Sequence, residues 1–134
     1  MNEQWEVVRE AIAASLPPTA PYTNEETISN LLTSVLRGSL ECWALYNGQD
    51  AVAIATFQVV LDGPTGIKSL MIYSLYSYIS ISYELWNVLL QRIKRHAREQ
   101  GCSRIIAYTD VNRIIELVRI LGGNTDFRFI WLEV

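Results

Sequence analysis

The sequence is poor in the residues that staple a fold or ligate a metal. It has two cysteines, Cys42 and Cys102, and one histidine, His96, in 134 residues. A disulfide framework needs more thiols than this, and a His/Cys zinc site needs more ligands, so a structural metal is not expected. Long apolar runs are absent too. The chain manages a handful of residues at a time, as in Leu70 to Tyr73, where a bilayer crossing takes roughly 18 or more. No membrane span is expected. Met1 to Glu6 shows neither the basic start nor the apolar stretch of a secretory signal, so the expected location is the cytoplasm. A pI near 5.1 argues against DNA binding as the main task.

What is present suffices for one domain spanning residues 1–134. Half of the residues are hydrophobic and 19% are charged, with a mean hydropathy of +0.14, enough apolar surface to offset the entropy of ordering the chain. The net charge of −3 hides an asymmetry. Residues 1–62 hold eight acids against Arg9 and Arg37, whereas residues 63–134 hold six acids and nine bases. Five of those bases fall between Arg92 and Arg104. Such a run reads either as the wet face of a helix or as a patch that attracts phosphate or RNA through Lys94, Arg95, Arg98 and Arg104.

Periodicity predicts the elements. Trp5, Val8, Ile12 and Leu16 mark a first amphipathic helix that Pro17-Pro18 must end. Thr23 with Glu26 forms a capping box for a second helix, striped by Ile28, Leu31, Leu32, Val35 and Leu36 and stopped at Gly38. Glu41 to Tyr46 and Ala51 to Leu61 read as strands joined through Asn47-Gly48, a type I′ signal. A third antiparallel strand starts near Ile67, after the turn Asp62 to Gly66. A helix from about Ser82 to Gln100 packs through Trp86, Leu89, Leu90, Ile93 and Ala97, and Gly101 ends it. Then come a short strand from Arg104 to Thr109, a helix from Val111 to Leu121 with Ile114, Ile115, Val118 and Leu121 inward, and a closing strand from Phe127 to Val134. Both faces of that last strand are apolar and need cover. The fold class is therefore α/β or α+β: a mixed sheet with an antiparallel meander first, parallel strands later and helices on both faces.

In open sheets of this kind ligands sit beyond the carboxyl ends of the strands, where the next helix offers unpaired amides. Here that segment is Tyr76 to Trp86, which contains no glycine. A dinucleotide fingerprint and a P-loop are excluded at this crossover, because both need glycines for close backbone approach.

The order of elements, with Ala97-Arg98-Glu99-Gln100-Gly101-Cys102 leading into a strand and Asn112 opening the next helix, resembles the GNAT superfamily of acetyl-CoA-dependent N-acyltransferases. The likeness covers about residues 3 to 133, without the family's first and last strands. The resemblance implies a three-layer fold and acetyl-CoA as cofactor. It puts the family's pyrophosphate loop on Ile81-Ser82-Tyr83-Glu84-Leu85-Trp86, with Ser77 and Asn112 as further cofactor contacts. All three defining positions of that loop differ. Glu84 sets a negative charge where the pyrophosphate would lie, and Trp86 fills space the family leaves open. Val118 falls in the slot of the family's usual tyrosine acid, and the strand Leu70 to Tyr76 supplies no carboxylate base.

Two functions follow as expectations. One is a catalytically degenerate GNAT-like protein acting by binding or assembly, through self-association or a protein partner, with Tyr76, Tyr78 and Tyr83 as the interface. Tyrosine and serine suit recognition, and Ser74 to Tyr83 is rich in both. Similarity to small phage-encoded proteins of this kind extends that expectation to a virion location. The other is a working N-acyltransferase in which Tyr76, Tyr78 or Tyr83 is the proton donor and Arg92 and Arg95 partner the phosphates. The remaining candidates have plain readings. His96 is a partly exposed neutral side chain, Cys42 and Cys102 are small core residues, Glu84 complements the positive end of its helix, and Asp110 caps the helix that Asn112 opens.

Overall fold

The computed structural model describes residues 2–14 and 25–134, and in the first helix the side chains of residues 6, 7, 9–11, 13 and 14. Helix α1 (Asn2–Ala14) is followed by α2 (Glu25–Leu36). The side chains of Trp5, Val8 and Ile12, and the whole of Leu16, Pro17, Pro18 and Thr23, lie outside the described residues. Gly38 stops α2 as expected. Its φ of +79° lets the chain turn left-handed, and the Gly38 N–H donates to Val35 O while Ser39 N–H donates to Ser34 O, the bond pair of a Schellman end. Arg9 reaches across to Glu25 at 2.9 Å and ties α1 to the start of α2.

Four strands form one mixed sheet in the order β1 (Glu41–Asn47), β2 (Asp50–Leu61), β3 (Lys68–Ser77) and β4 (Arg104–Ala107). The first two pairings are antiparallel and the third is parallel. The first hairpin turns one residue later than its sequence suggests. Asn47 pairs with Asp50, and the positive φ of +65° sits at Gly48 alone. That is the type II′ requirement, since a type I′ turn would need positive φ at Gln49 as well.

Two bulges interrupt the ladder. One leaves Val52 extra on β2 and the other leaves Tyr73 extra on β3, opposite the step from Thr56 to Phe57. A bulge bends its strand and sharpens the local twist.

Helix α3 (Tyr83–Glu99) crosses from β3 to β4 and covers one face of the sheet. Its Ile93 and Ala97 pack with Trp43, Phe57, Leu70, Ile72 and Ile105, and its Leu85, Trp86 and Leu89 with Val52, Ala53 and Ile81. The opposite face takes α1, which lies against β2 and β3, and α2, whose Ile28 and Leu31 meet Leu40 and Tyr73. This is the expected three-layer arrangement. On that second face Thr56 and Ser74 share a buried hydroxyl–hydroxyl hydrogen bond of 2.5 Å beside the β3 bulge. Both ends of α3 are tied. Ser82 accepts from the Leu85 N–H at 3.2 Å, and Gly101 (φ +77°) turns the chain so that Cys102 N–H reaches Ala97 O. Lys68 Nζ adds a cap on Gln100 O at 2.7 Å.

The last third of the chain departs from expectation. β4 ends at Ala107 and not at Thr109, and α4 (Asn112–Ile120) leaves Leu121 37% exposed instead of inward. No strand forms over Phe127 to Val134, and Phe127, Ile130 and Leu132 are 86%, 85% and 90% exposed. The physical reasons are local. β4 offers only four residues of outer edge as a template, and the chain after α4 is held back by Arg119 on Thr125 (2.8 Å) and by the Asn124 side chain accepting from Asp126 N–H (2.9 Å). Side-chain stacking of Tyr108 on Phe129, at 5.1 Å, stands where a backbone ladder would.

Candidate functional site

The sheet opens at one end. β2 and β3 stay paired as far as Ala53↔Ser77, but β3 and β4 part after Ile72↔Ala107. The parting coincides with the bulge at Tyr73, which turns β3 aside. From Tyr73 to Ser77 the β4-facing edge of β3 therefore has no strand partner among the described residues, and its amides and carbonyls are available.

A cavity of about 650 Å³ lies past this opening, within the ~300–1,000 Å³ of small-molecule and cofactor pockets. One wall is Ser77 to Ile81 with Tyr83 and Trp86, and the other is the face of α4 that carries Val111, Arg113, Ile114, Glu116, Leu117 and Ile120. The loop after β3 is braced by the Ser77 hydroxyl donating to Ile79 O and by Tyr78 N–H donating to Val52 O. The first turn of α3 adds polarity. Ser82 satisfies Leu85 N–H, while the N–H groups of Tyr83 and Glu84 have no intrahelical acceptor and the helix dipole is positive there.

Tyr78 is a cavity-lining phenol changed by this setting. Burial first, then the hydroxyl of Tyr76, the Glu10 carboxylate and the hydroxyl of Tyr46, push its phenol above the ordinary range. Like any tyrosine phenol, it is protonated at neutral pH. Its ring meets that of Tyr76 edge to face, centroids 4.9 Å apart at 78°. Burial likewise raises the Tyr73 phenol.

Of the predicted loop, Ser77, Ile81, Tyr83 and Trp86 line the cavity, and Ser82, Glu84 and Leu85 do not. Helix geometry separates the two residues expected to block the loop. Residues two apart on a helix point about 200° apart, so Glu84 and Trp86 cannot both face one cavity, whereas Tyr83 and Trp86, three apart, can. Glu84 is exposed in the first turn of α3. Trp86 packs into the cluster of Val52, Ala53 and Ile81, and walls the space without filling it.

Asn112 lies elsewhere, on a second cavity of about 950 Å³ shared with Asp110, Arg119 and the Phe127–Trp131 stretch. Val118 is also off the first cavity, its carbonyl accepting from Gly123 N–H at 2.8 Å. Arg92, Lys94, Arg95 and Arg98 are exposed along α3 and none lines either cavity. Arg104 bonds Ser69 Oγ at 3.0 Å. The guanidinium that does line the first cavity is Arg113, which sequence reasoning passed over. Its signal was a base in the first turn of the helix opened by Asn112.

Two plain readings also change, and the reading of the cysteines holds. His96 is engaged, 2.8 Å from Glu41 and edge-on to Trp43, and Glu41 also accepts from the Trp43 indole at 2.9 Å. Asp110 does not cap α4. The N-cap is Val111, without a side-chain bond, and its N–H donates to the Thr109 hydroxyl. Cys102 is buried and Cys42 half-buried with its thiol raised by burial, so both behave as core residues. No group of three potential metal ligands occurs among the described residues, and no described helix is long and apolar enough to cross a membrane.

No protein-family model matches the sequence, and no curated protein matches it. Solved structures do match. A crystal structure of a transcriptional regulator from Bacillus halodurans C-125 superposes with a TM-score of 0.71 at 14% identity, covering 100% of this chain and 95% of that one. Ribosomal-protein-alanine N-acetyltransferase from Brucella melitensis gives 0.64 at 13% identity, over 94% of this chain and 93% of that one. A Trypanosoma brucei acetyltransferase gives 0.60 at 16%, over 86% and 83%. The fold is the GNAT fold. Identity this low speaks for architecture and leaves chemistry to the site. Within the GNAT fold, the cavity lies past the end of β3 and at the start of α3.

Proposed function

We propose that this GNAT-fold chain binds an acyl-coenzyme A and transfers its acyl group to an amine. The observation that carries the reading is the parted sheet: strands β3 and β4 separate after Ile72 and Ala107, and the opening leads to a cavity of cofactor size. Acetyl-CoA, when bound, supplies an activated thioester carbonyl and an anionic diphosphate. The chain's own groups suit both. The unpaired edge of β3 from Tyr73 to Ser77 offers backbone donors toward the opening. The Arg113 guanidinium on the lining suits an anion, with the Glu116 carboxylate three residues further along the same helix wall. Tyr78, on the cavity lining, is the phenol we assign to give a proton to a departing thiolate, with Tyr76 beside it and Tyr83 across the lining.

Acetyl-CoA titrated into the protein tests this. At about 100 times the dissociation constant the fold gains about 2.7 kcal/mol, on the order of 10 °C in melting temperature for a domain of this size. Arg113→Ala is expected to reduce the shift without lowering the unliganded melting point. No shift at millimolar acetyl-CoA refutes the reading.

A second reading, a binding or assembly protein with a degenerate site, is favoured by one observation. Phe127, Ile130 and Leu132 stand exposed with no strand to join. Light scattering of the full chain against one lacking residues 127–134 checks it, with self-association lost on truncation as the expected result and a monomer in both cases as the result that removes it.

A further inference from the structure

Helix α4 is apolar along one side and keeps that side unburied. Its Ile114, Leu117 and Ile120 recur every three residues, yet none of its residues is buried, and none joins the clusters that hold α2 and α3 to the sheet. An amphipathic helix ordinarily turns such a stripe onto another element. Here the stripe is one wall of the cavity after β3. The wall facing it is apolar as well, built from Ile79, Ile81 and Trp86. Ile79 is 55% exposed and Ile120 73% exposed, so aliphatic side chains on both walls border one space and keep much of their surface uncovered. The space is about 650 Å³, the scale of a small-molecule site. An acetyl group would bring it a single methyl. From Ile114 to Ile120 the stripe runs about 9 Å, the length of an extended aliphatic chain of about eight carbons. Tyr78, assigned above to the departing thiolate, lies on the same lining, so a chain carried by the thioester carbonyl starts within reach of both walls.

We propose that the acyl donor carries a medium-length aliphatic chain of about six to eight carbons, held between Ile79, Ile81 and Trp86 on one side and Ile114, Leu117 and Ile120 on the other. This rests on the acyl-transfer reading and names its donor class. The transfer is the same for any chain length: the amine nitrogen bonds to the carbonyl carbon, the carbon–sulfur bond breaks, and the proton lost by the amine is matched by one gained at the thiolate. What the walls add is affinity, because each methylene leaves water on entering them.

CoA, acetyl-CoA, hexanoyl-CoA and octanoyl-CoA are titrated into the full chain by calorimetry, below the concentrations at which the longer thioesters form micelles. Affinity is expected to rise by about two- to four-fold per added methylene, so that octanoyl-CoA exceeds acetyl-CoA by about ten-fold or more. Ile79→Ser and Ile120→Ser, one on each wall, are each expected to lower the ratio of octanoyl to acetyl affinity by about two- to five-fold. Both residues are exposed, so neither change threatens the core, and circular dichroism confirms the fold of each variant. Equal affinity for acetyl-CoA and octanoyl-CoA overturns the proposal and leaves acyl transfer standing. A ratio unchanged in both variants overturns it too, since the chain then seats elsewhere. Failure of all four ligands to bind defeats acyl transfer itself, and this inference with it.

Discussion

Removing one buried hydroxyl tests whether the parting of the sheet is held by a single polar pair. Thr56 is 0% exposed and Ser74 3% exposed, and their hydroxyls lie 2.5 Å apart on the face covered by α1 and α2. Ser74 is the neighbour of Tyr73, the extra residue of the bulge. Thr56→Val keeps the shape of the side chain and strands the Ser74 hydroxyl in an apolar setting, which costs about 1–3 kcal/mol. Ser74→Ala does the same to Thr56 from the other side. The double variant leaves neither group to satisfy, so it should lie within about 1 kcal/mol of the parent. A double-mutant cycle then yields a coupling of about 1 kcal/mol or more. Urea unfolding followed by tryptophan fluorescence suits the measurement, because Trp43 packs 4.9 Å from Phe57 and reports the core directly. Additive losses in the double variant, or single variants that lose nothing, would show that the bulge is fixed by packing and that the hydroxyl pair is incidental.

Gly123→Ala is expected to destabilise by about 1–3 kcal/mol, because a Cβ there would fall 2.3 Å from Val118 Cγ1 and 3.1 Å from Val118 O. Adding Val118→Ala removes the first clash and not the second, so a melting curve should show partial recovery. Glu41→Gln takes the charge from His96 and leaves a weaker acceptor for Trp43. Glu41 is half exposed, so the stability loss should stay under about 1 kcal/mol, while the Trp43 emission shifts. Burial raises the Cys42 thiol, which favours the protonated form in the fold. The stability this brings is present below the unfolded thiol's pKa and is lost as pH climbs through the raised folded value. Alkylation of Cys42 should therefore be slower than that of a free cysteine and should reach half its maximal rate at a higher pH.

The elements most legible in the sequence are those whose signals are local. Helix α3 begins and ends where Ser82 and Gly101 say it should, because the cap and the left-handed stop are properties of a few neighbouring residues. The hairpin is displaced by one residue for a similar local reason, since Gly48 accepts positive φ more readily than Gln49. The bulge at Tyr73 is another matter. Leu70, Met71, Ile72 and Tyr73 are all apolar, so no alternation marks where the register slips, and the slip exists only as a relation between two strands. The opening of the sheet was hidden for that reason, although the segment beside it was legible.

The failed strand and the differing orientations of Glu84 and Trp86 share one cause. Phe127 to Val134 has every compositional mark of a strand, yet pairing depends on a template, and β4 supplies only four residues. Glu84 and Trp86 stand two apart in the pyrophosphate segment, and a linear count assigns both to one pocket, although one helical turn sends them to different sides. In each case residue identity was read correctly and direction was not. Direction also decides the chemistry. The same turn that sends Glu84 to solvent brings Tyr83 and Trp86 onto the cavity wall. The first turn of α4 sets Arg113 opposite them, with Glu116 on the same wall, so a cavity lined by both charges arises from residues that no glycine-rich motif would have flagged.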